Sequence, residues 1–106
     1  MKTGKLSDMN RGWFVGNFEP SLYKTEQVEV GVLVHPKGQI WDAHYHKLGT
    51  EINVLLSGHM KVCNIELIAG DTFIIEPYEI ADPIFYEDCL IVCVKIPGNK
   101  NDKYLE

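Results

Sequence analysis

His44, His46 and Glu51 stand in the order H-x-H-x4-E, flanked by Gly38 and Gly58. Two imidazoles and one carboxylate with open positions are how non-heme Fe(II) oxygenases hold their metal. Iron, manganese, zinc, nickel and cobalt all accept these atoms, so the set implies a divalent transition metal without choosing among them. Residues two apart on an extended strand share a face, which puts both imidazoles on one side. Gly49 and Thr50 suit a turn, after which Glu51 opens the apolar run Ile52 to Leu56 and returns beside the histidines. Asp42 falls on the histidine face, where a carboxylate can fix the tautomer of a ligand imidazole. Asn53 and Leu55 follow Glu51 on its face, and Trp41, Phe73, Ile75, Phe85 and Tyr86 are candidate walls. His35 and His59 lack the spacing and adjoin turns, which reads as surface. Without a metal, the three site groups would need one another's hydrogen bonds, since each unsatisfied buried group costs about 1 to 3 kcal/mol.

The elements that must position these groups are strands. Runs rich in Val, Ile, Phe and Tyr recur between Gly, Pro, Asn and Asp, with no sustained 3.6 period. The pattern predicts strands over Gln27 to His35, Ile40 to Tyr45, Glu51 to Ser57, His59 to Cys63, Thr72 to Glu76, Ile84 to Tyr86 and Cys89 to Ile96. Pro77 and Pro83 bracket a stretch that cannot be a central strand throughout, because proline donates no ladder hydrogen bond. The rhythm is that of a β sandwich or barrel.

The 106 residues suit one domain, and 45% apolar with 24% charged residues is ordinary for a globular chain. A net charge of -5 with scattered Lys and Arg argues against nucleic acid and anionic membrane as partners. Met1 to Gly12 hold no apolar leader core, and the longest apolar run, Cys89 to Val94, is far too short to span a bilayer. The expectation is a soluble, cytoplasmic protein. Three cysteines make no disulfide framework. Cys89 and Cys93, four apart on a strand, would lie about 13 Å from each other, beyond bridging reach. No G-x-S-x-G, Walker or G-x-G-x-x-G pattern occurs.

The stretch from Gly38 to Gly58 resembles the first motif of the cupin superfamily at every fixed position. A second cupin stretch, G-D-x-x-x-I-P-P-G-x-x-H, is similar in Gly70, Asp71, Ile75 and Pro77. It departs at Tyr78, where the family has glycine, and at Ala81, where it has a third histidine ligand. The resemblance implies an all-β fold, the double-stranded β-helix or jelly-roll barrel. It implies one cupin domain over 1–106, with a barrel core at about 28–97, an N-terminal arm at 1–27 and a loosely held polar tail at 98–106. The arm carries Trp13, Phe14 and Phe18 and is either a strand or arm lying over one barrel end or an element lent to a neighbouring subunit, and a homodimer is expected. Asp82 is the nearest substitute for the absent histidine, provided Pro83 or a bulge re-aims it. Glu79 and Tyr78 are next.

The function so implied is a small cupin binding a divalent metal through His44, His46 and Glu51. If an enzyme, it is dioxygenase-like or isomerase-like and acts on a small polar metabolite. Two alternatives stand beside it. One is a metal-free epimerase or isomerase of a sugar or sugar nucleotide, with Tyr45, Tyr78 and Tyr86 as candidate acids. The other is a non-catalytic module that binds a small molecule.

Overall fold

Alternating side chains build most of the chain into antiparallel strands. The structure, a computed structural model, describes residues 1–98 and 102–105. Its strands are β1 (Trp13–Val15), β2 (Glu29–His35), β3 (His44–Tyr45), β4 (Thr50–Ser57), β5 (His59–Val62), β6 (Ile65–Ile68), β7 (Thr72–Ile75), β8 (Ile84–Phe85), β9 (Cys89–Ile96) and β10 (Tyr104–Leu105). A 3₁₀ turn at Leu6–Asp8 is the sole helical element among the described residues. No helix there is long and apolar enough to cross a membrane.

One sheet runs in the order β1-β2-β9-β4-β7, a second in the order β6-β5-β8, and β3 pairs with β10. Together they form the double-stranded β-helix. Its core is Leu55, Met60, Val62, Leu67, Ala81, Phe85, Cys89 and Ile91. Leu55 is fully buried, a placement that stabilises by about 1.5 to 3 kcal/mol per side chain of this size.

The seven expected strands form, most of them trimmed at the ends. The largest loss is at Ile40 to Tyr45, of which only His44–Tyr45 is paired; Ile40 is exposed and its segment has no ladder partner. Two strands were not expected, namely β6 and β10, while β1 makes a strand of the arm. The hairpin between β5 and β6 turns on Cys63 and Asn64, both at positive φ (49° and 65°), with Val62 opposite Ile65. That is the geometry of a two-residue primed turn, made without glycine.

Both motif glycines hold conformations that side chains resist, Gly38 at φ 75° and Gly58 at φ 105°. A Cβ on Gly58 would also meet the Asp88 carbonyl at 2.5 Å and the Cys89 sulfur at 2.7 Å. Tyr78 keeps a left-handed φ of 68° at the position where the resemblance has glycine.

The tail needs correction and the arm does not. The arm is a strand: β1 adds to the edge of the large sheet, Trp13 opposite Gly31. Within the tail, residues 99–101 and 106 lie outside the described ones, and 102–105 are firmly held. Tyr104 and Leu105 pair with Tyr45 and His44, and Asp102 is buried.

A polar cavity in the barrel

The strand faces that point inward from β2, β4 and β9 carry polar groups at one end, and there a cavity of about 520 Å³ opens between the sheets. His44, His46 and Glu51 all line it, with Glu29, Asn53, Cys93, Lys95 and Asp102. Its apolar walls include Trp13, Phe18, Trp41, Phe73, Ile75 and Phe85.

The histidine strand is pinned from three sides. His44 exchanges two main-chain hydrogen bonds with Ala81 (3.1 and 2.7 Å), and the Tyr78 N–H donates to the His46 carbonyl (2.7 Å). Asp102 accepts from the N–H groups of Lys47, Leu48 and Gly49 at 2.9, 2.9 and 2.7 Å. The imidazole centroids of His44 and His46 are 5.3 Å apart. His44 Nδ1 lies 3.1 Å from the Asp42 carbonyl, and since a carbonyl only accepts, Nδ1 carries the proton and Nε2 keeps its lone pair. The tautomer is thus set by the Asp42 main chain; its carboxylate, expected behind His44, belongs to an exposed residue. Burial lowers the His46 pKa below 6.5, against the pull of Glu51 and with help from Lys95.

Glu51 does not turn freely to the imidazoles. Its carboxylate is 3.6 Å from the Lys95 ammonium, with the two side chains 14% and 25% exposed. Register explains the pairing. Lys95 on β9 stands opposite Glu51 of β4 on one side and Glu29 of β2 on the other, which makes a Glu-Lys-Glu row across three strands. The Lys95 Nζ also lies 5.0 Å from the centre of the Trp13 ring. Asn53, next inward on β4, is buried, and its Nδ2 has no hydrogen-bond partner among the described residues. Burial, with Glu51 adding to it, pushes the Cys93 thiol up to about 12, so it is a neutral wall and no nucleophile.

The expected ligands therefore share one cavity, but no group of three His, Cys, Asp or Glu side chains is gathered closely enough to hold an ion among the described residues. As folded, the one anionic member of the donor set faces a cation, the Lys95 ammonium. Ala81 is buried opposite His44 and offers only a methyl group. Asp82 is exposed and lines a separate surface cleft with Lys61, Cys63 and Asn64, as a one-residue step along a strand requires.

Of the expected walls, Trp41, Phe73, Ile75 and Phe85 face the cavity, whereas Tyr86 packs on His59 outside it. His35, read as surface, is a cavity residue: it stacks on Phe85 at 4.6 Å, and its Nδ1 is 2.6 Å from Gln39 Oε1. Lys95, Glu29 and Asp102 are cavity residues that the motif does not single out, and Trp13 joins them from the arm. Lys95 had a signal, since Cys89, Ile91, Cys93 and Lys95 alternate onto one face.

No family model and no curated protein matches the sequence. Solved structures do resemble the fold. An uncharacterised protein with a double-stranded β-helix domain from Klebsiella pneumoniae is 27% identical, over 76% of this chain and 71% of that one, with a TM-score of 0.66. A cupin protein from Bacteroides fragilis is 25% identical, over 76% and 74%, with a TM-score of 0.56. The DMSP lyase DddQ from Ruegeria pomeroyi, at 17% identity and a TM-score of 0.67, overlaps 88% of this chain and 49% of its own, a likeness of fold alone. By motif, topology and these likenesses, this chain is a small cupin in its fold.

Proposed function

We propose that the barrel cavity binds a small polyhydroxylated, sugar-type metabolite, and that the protein works as a homodimer. The observation that carries the ligand reading is Asn53. Asn53 lines a cavity that also offers carboxylate acceptors and an ammonium donor, and its enclosed Nδ2 is a donor without a partner among the described residues. A sugar hydroxyl both donates and accepts, so it can answer each of these groups without bringing a net charge. The aromatic walls would take the apolar face of the ring, and about 520 Å³ falls within the ordinary range for small-molecule pockets.

The competing reading is a divalent ion on His44, His46 and Glu51. The free lone pair of His44 Nε2 supports it, and the Lys95 ammonium opposes it. Three free cysteines suit a reducing compartment such as the cytoplasm.

Calorimetric titration with a panel of hexoses, uronic acids and sugar nucleotides tests the ligand reading. One class is expected to bind at one per chain and to lose about tenfold or more in affinity in Asn53→Leu, which leaves a hydroxyl unanswered. If no member of the panel saturates the protein, or Asn53→Leu binds as well as wild type, the reading fails. Exchange of a carbon-bound proton of the bound sugar with deuterated water would add isomerase-type chemistry to binding.

A further inference from the structure

Lys95 is the middle member of the acidic row. Its Nζ has the Glu51 carboxylate at 3.6 Å and the Trp13 ring at 5.0 Å, and its strand neighbour on the far side is the buried Glu29. The Trp13 ring is itself fixed. It lies across Gly31, where a Cβ would come within 2.7 Å of it, so the close approach of arm and β2 keeps an aromatic face over the ammonium. The cation is therefore held by an anion and a ring, and it lines the same cavity as the two imidazoles.

An ammonium and a divalent ion compete for the same carboxylate. An ion arriving at Glu51 must approach a positive charge at close range and strip Lys95 of its partner, and both effects weaken its binding.

We propose that Lys95 is a built-in cation standing in the place of the metal, so that this cupin motif operates without one, and that a neutral side chain at position 95 converts the cavity into a transition-metal site of His44, His46 and Glu51. The inference concerns metal alone and does not depend on the sugar reading, whose titration needs no ion. Its rival is a lysine that swings aside when an ion arrives.

Chelator-stripped wild type, Lys95→Met, Lys95→Gln and Lys95→Arg are titrated with Co(II) at about pH 8, following its visible absorption bands and, in parallel, Zn(II) binding by calorimetry. Wild type and Lys95→Arg are expected to take up no stoichiometric ion. Lys95→Met and Lys95→Gln should bind one equivalent at least about 100-fold more tightly, a gain of the size that close charge pairs control. Glu51→Gln in the Lys95→Met background should abolish it. One equivalent of Co(II) on wild type, within tenfold of the affinity of Lys95→Met, overturns the proposal, as does a folded Lys95→Met or Lys95→Gln that binds none. Should neither neutral variant fold, the wild-type titration decides alone: an ion bound refutes the inference, and none bound supports it.

Discussion

At His46, burial outweighs the neighbouring charges. Desolvation lowers its pKa from 6.5, Lys95 and His44 act in the same direction, and Glu51 and Asp102 pull the other way. An unfolded chain therefore takes up this proton at a higher pH than the folded one. The stabilisation from a neutral His46 is complete above 6.5 and is lost as pH falls through the lower folded value. The urea midpoint should drop as pH goes from about 7.5 to about 5, and His46→Gln should flatten that segment. Ring-nitrogen NMR of the native protein provides the direct check, and a His46 midpoint at or above 6.5 would contradict this account. His44, His46 and Glu51 were legible because their types and spacing are local. The Glu51–Lys95 pairing was not, since it depends on a register between strands far apart in the chain.

Among the elements, strands with period-two alternation could be read directly, and Cys89–Ile96 was found at its expected bounds. Others escaped for stated reasons. β6 follows a Cys63-Asn64 turn that lacks the usual glycine, and β10 is two residues long and exists through the carboxylate before it. That carboxylate, Asp102, latches the loop after the histidines. Burial acts to raise its pKa, but the three main-chain N–H donors of Lys47, Leu48 and Gly49 outweigh it and hold the group below 3.8. Lys47 over the Tyr104 ring (4.2 Å) and Lys103 over Trp41 (4.7 Å) add to the clasp. Asp102→Ala should lower stability by about 2 to 3 kcal/mol, the range for losing charge-assisted bonds to main-chain donors. Because the folded pKa is depressed, the latch contributes fully above 3.8 and fades as pH drops below it. Denaturation of wild type and Asp102→Asn should thus differ by a constant amount from about pH 7 to 5 and converge toward about pH 2.5. A gap that persists unchanged into strong acid would show that the carboxylate's charge is not what holds the tail.

For the whole molecule, the outer face of the large sheet is the conspicuous surface. Val30, Val32 and Val34 of β2 align with Val94, Val92 and Leu90 of β9, and these rows continue into Ile52 and Val54 of β4 and Ile74 of β7. Val34 is 69% exposed, Ile74 56% and Leu56 49%. Four strands about 4.8 Å apart and roughly 20 Å long present a face of about 400 Å², half of the about 800 Å² per partner of a standard interface. A contiguous apolar patch of this extent is of the size that often proves functional. A second copy is the occupant proposed for it, since the patch is nearly uncharged and a two-fold related sheet presents the same rows to it. A chain of net charge -5 repels itself, so salt should tighten the dimer where it would loosen a charge-paired complex. Light scattering on wild type should give twice the chain mass at micromolar concentration, more firmly at high salt. Val34→Lys with Ile74→Lys should give the single-chain mass with a circular dichroism spectrum unchanged, because both side chains point away from the core. A wild type that stays monomeric at about 100 μM, a concentration at which even weak interfaces of this size associate, would leave the patch to a different partner.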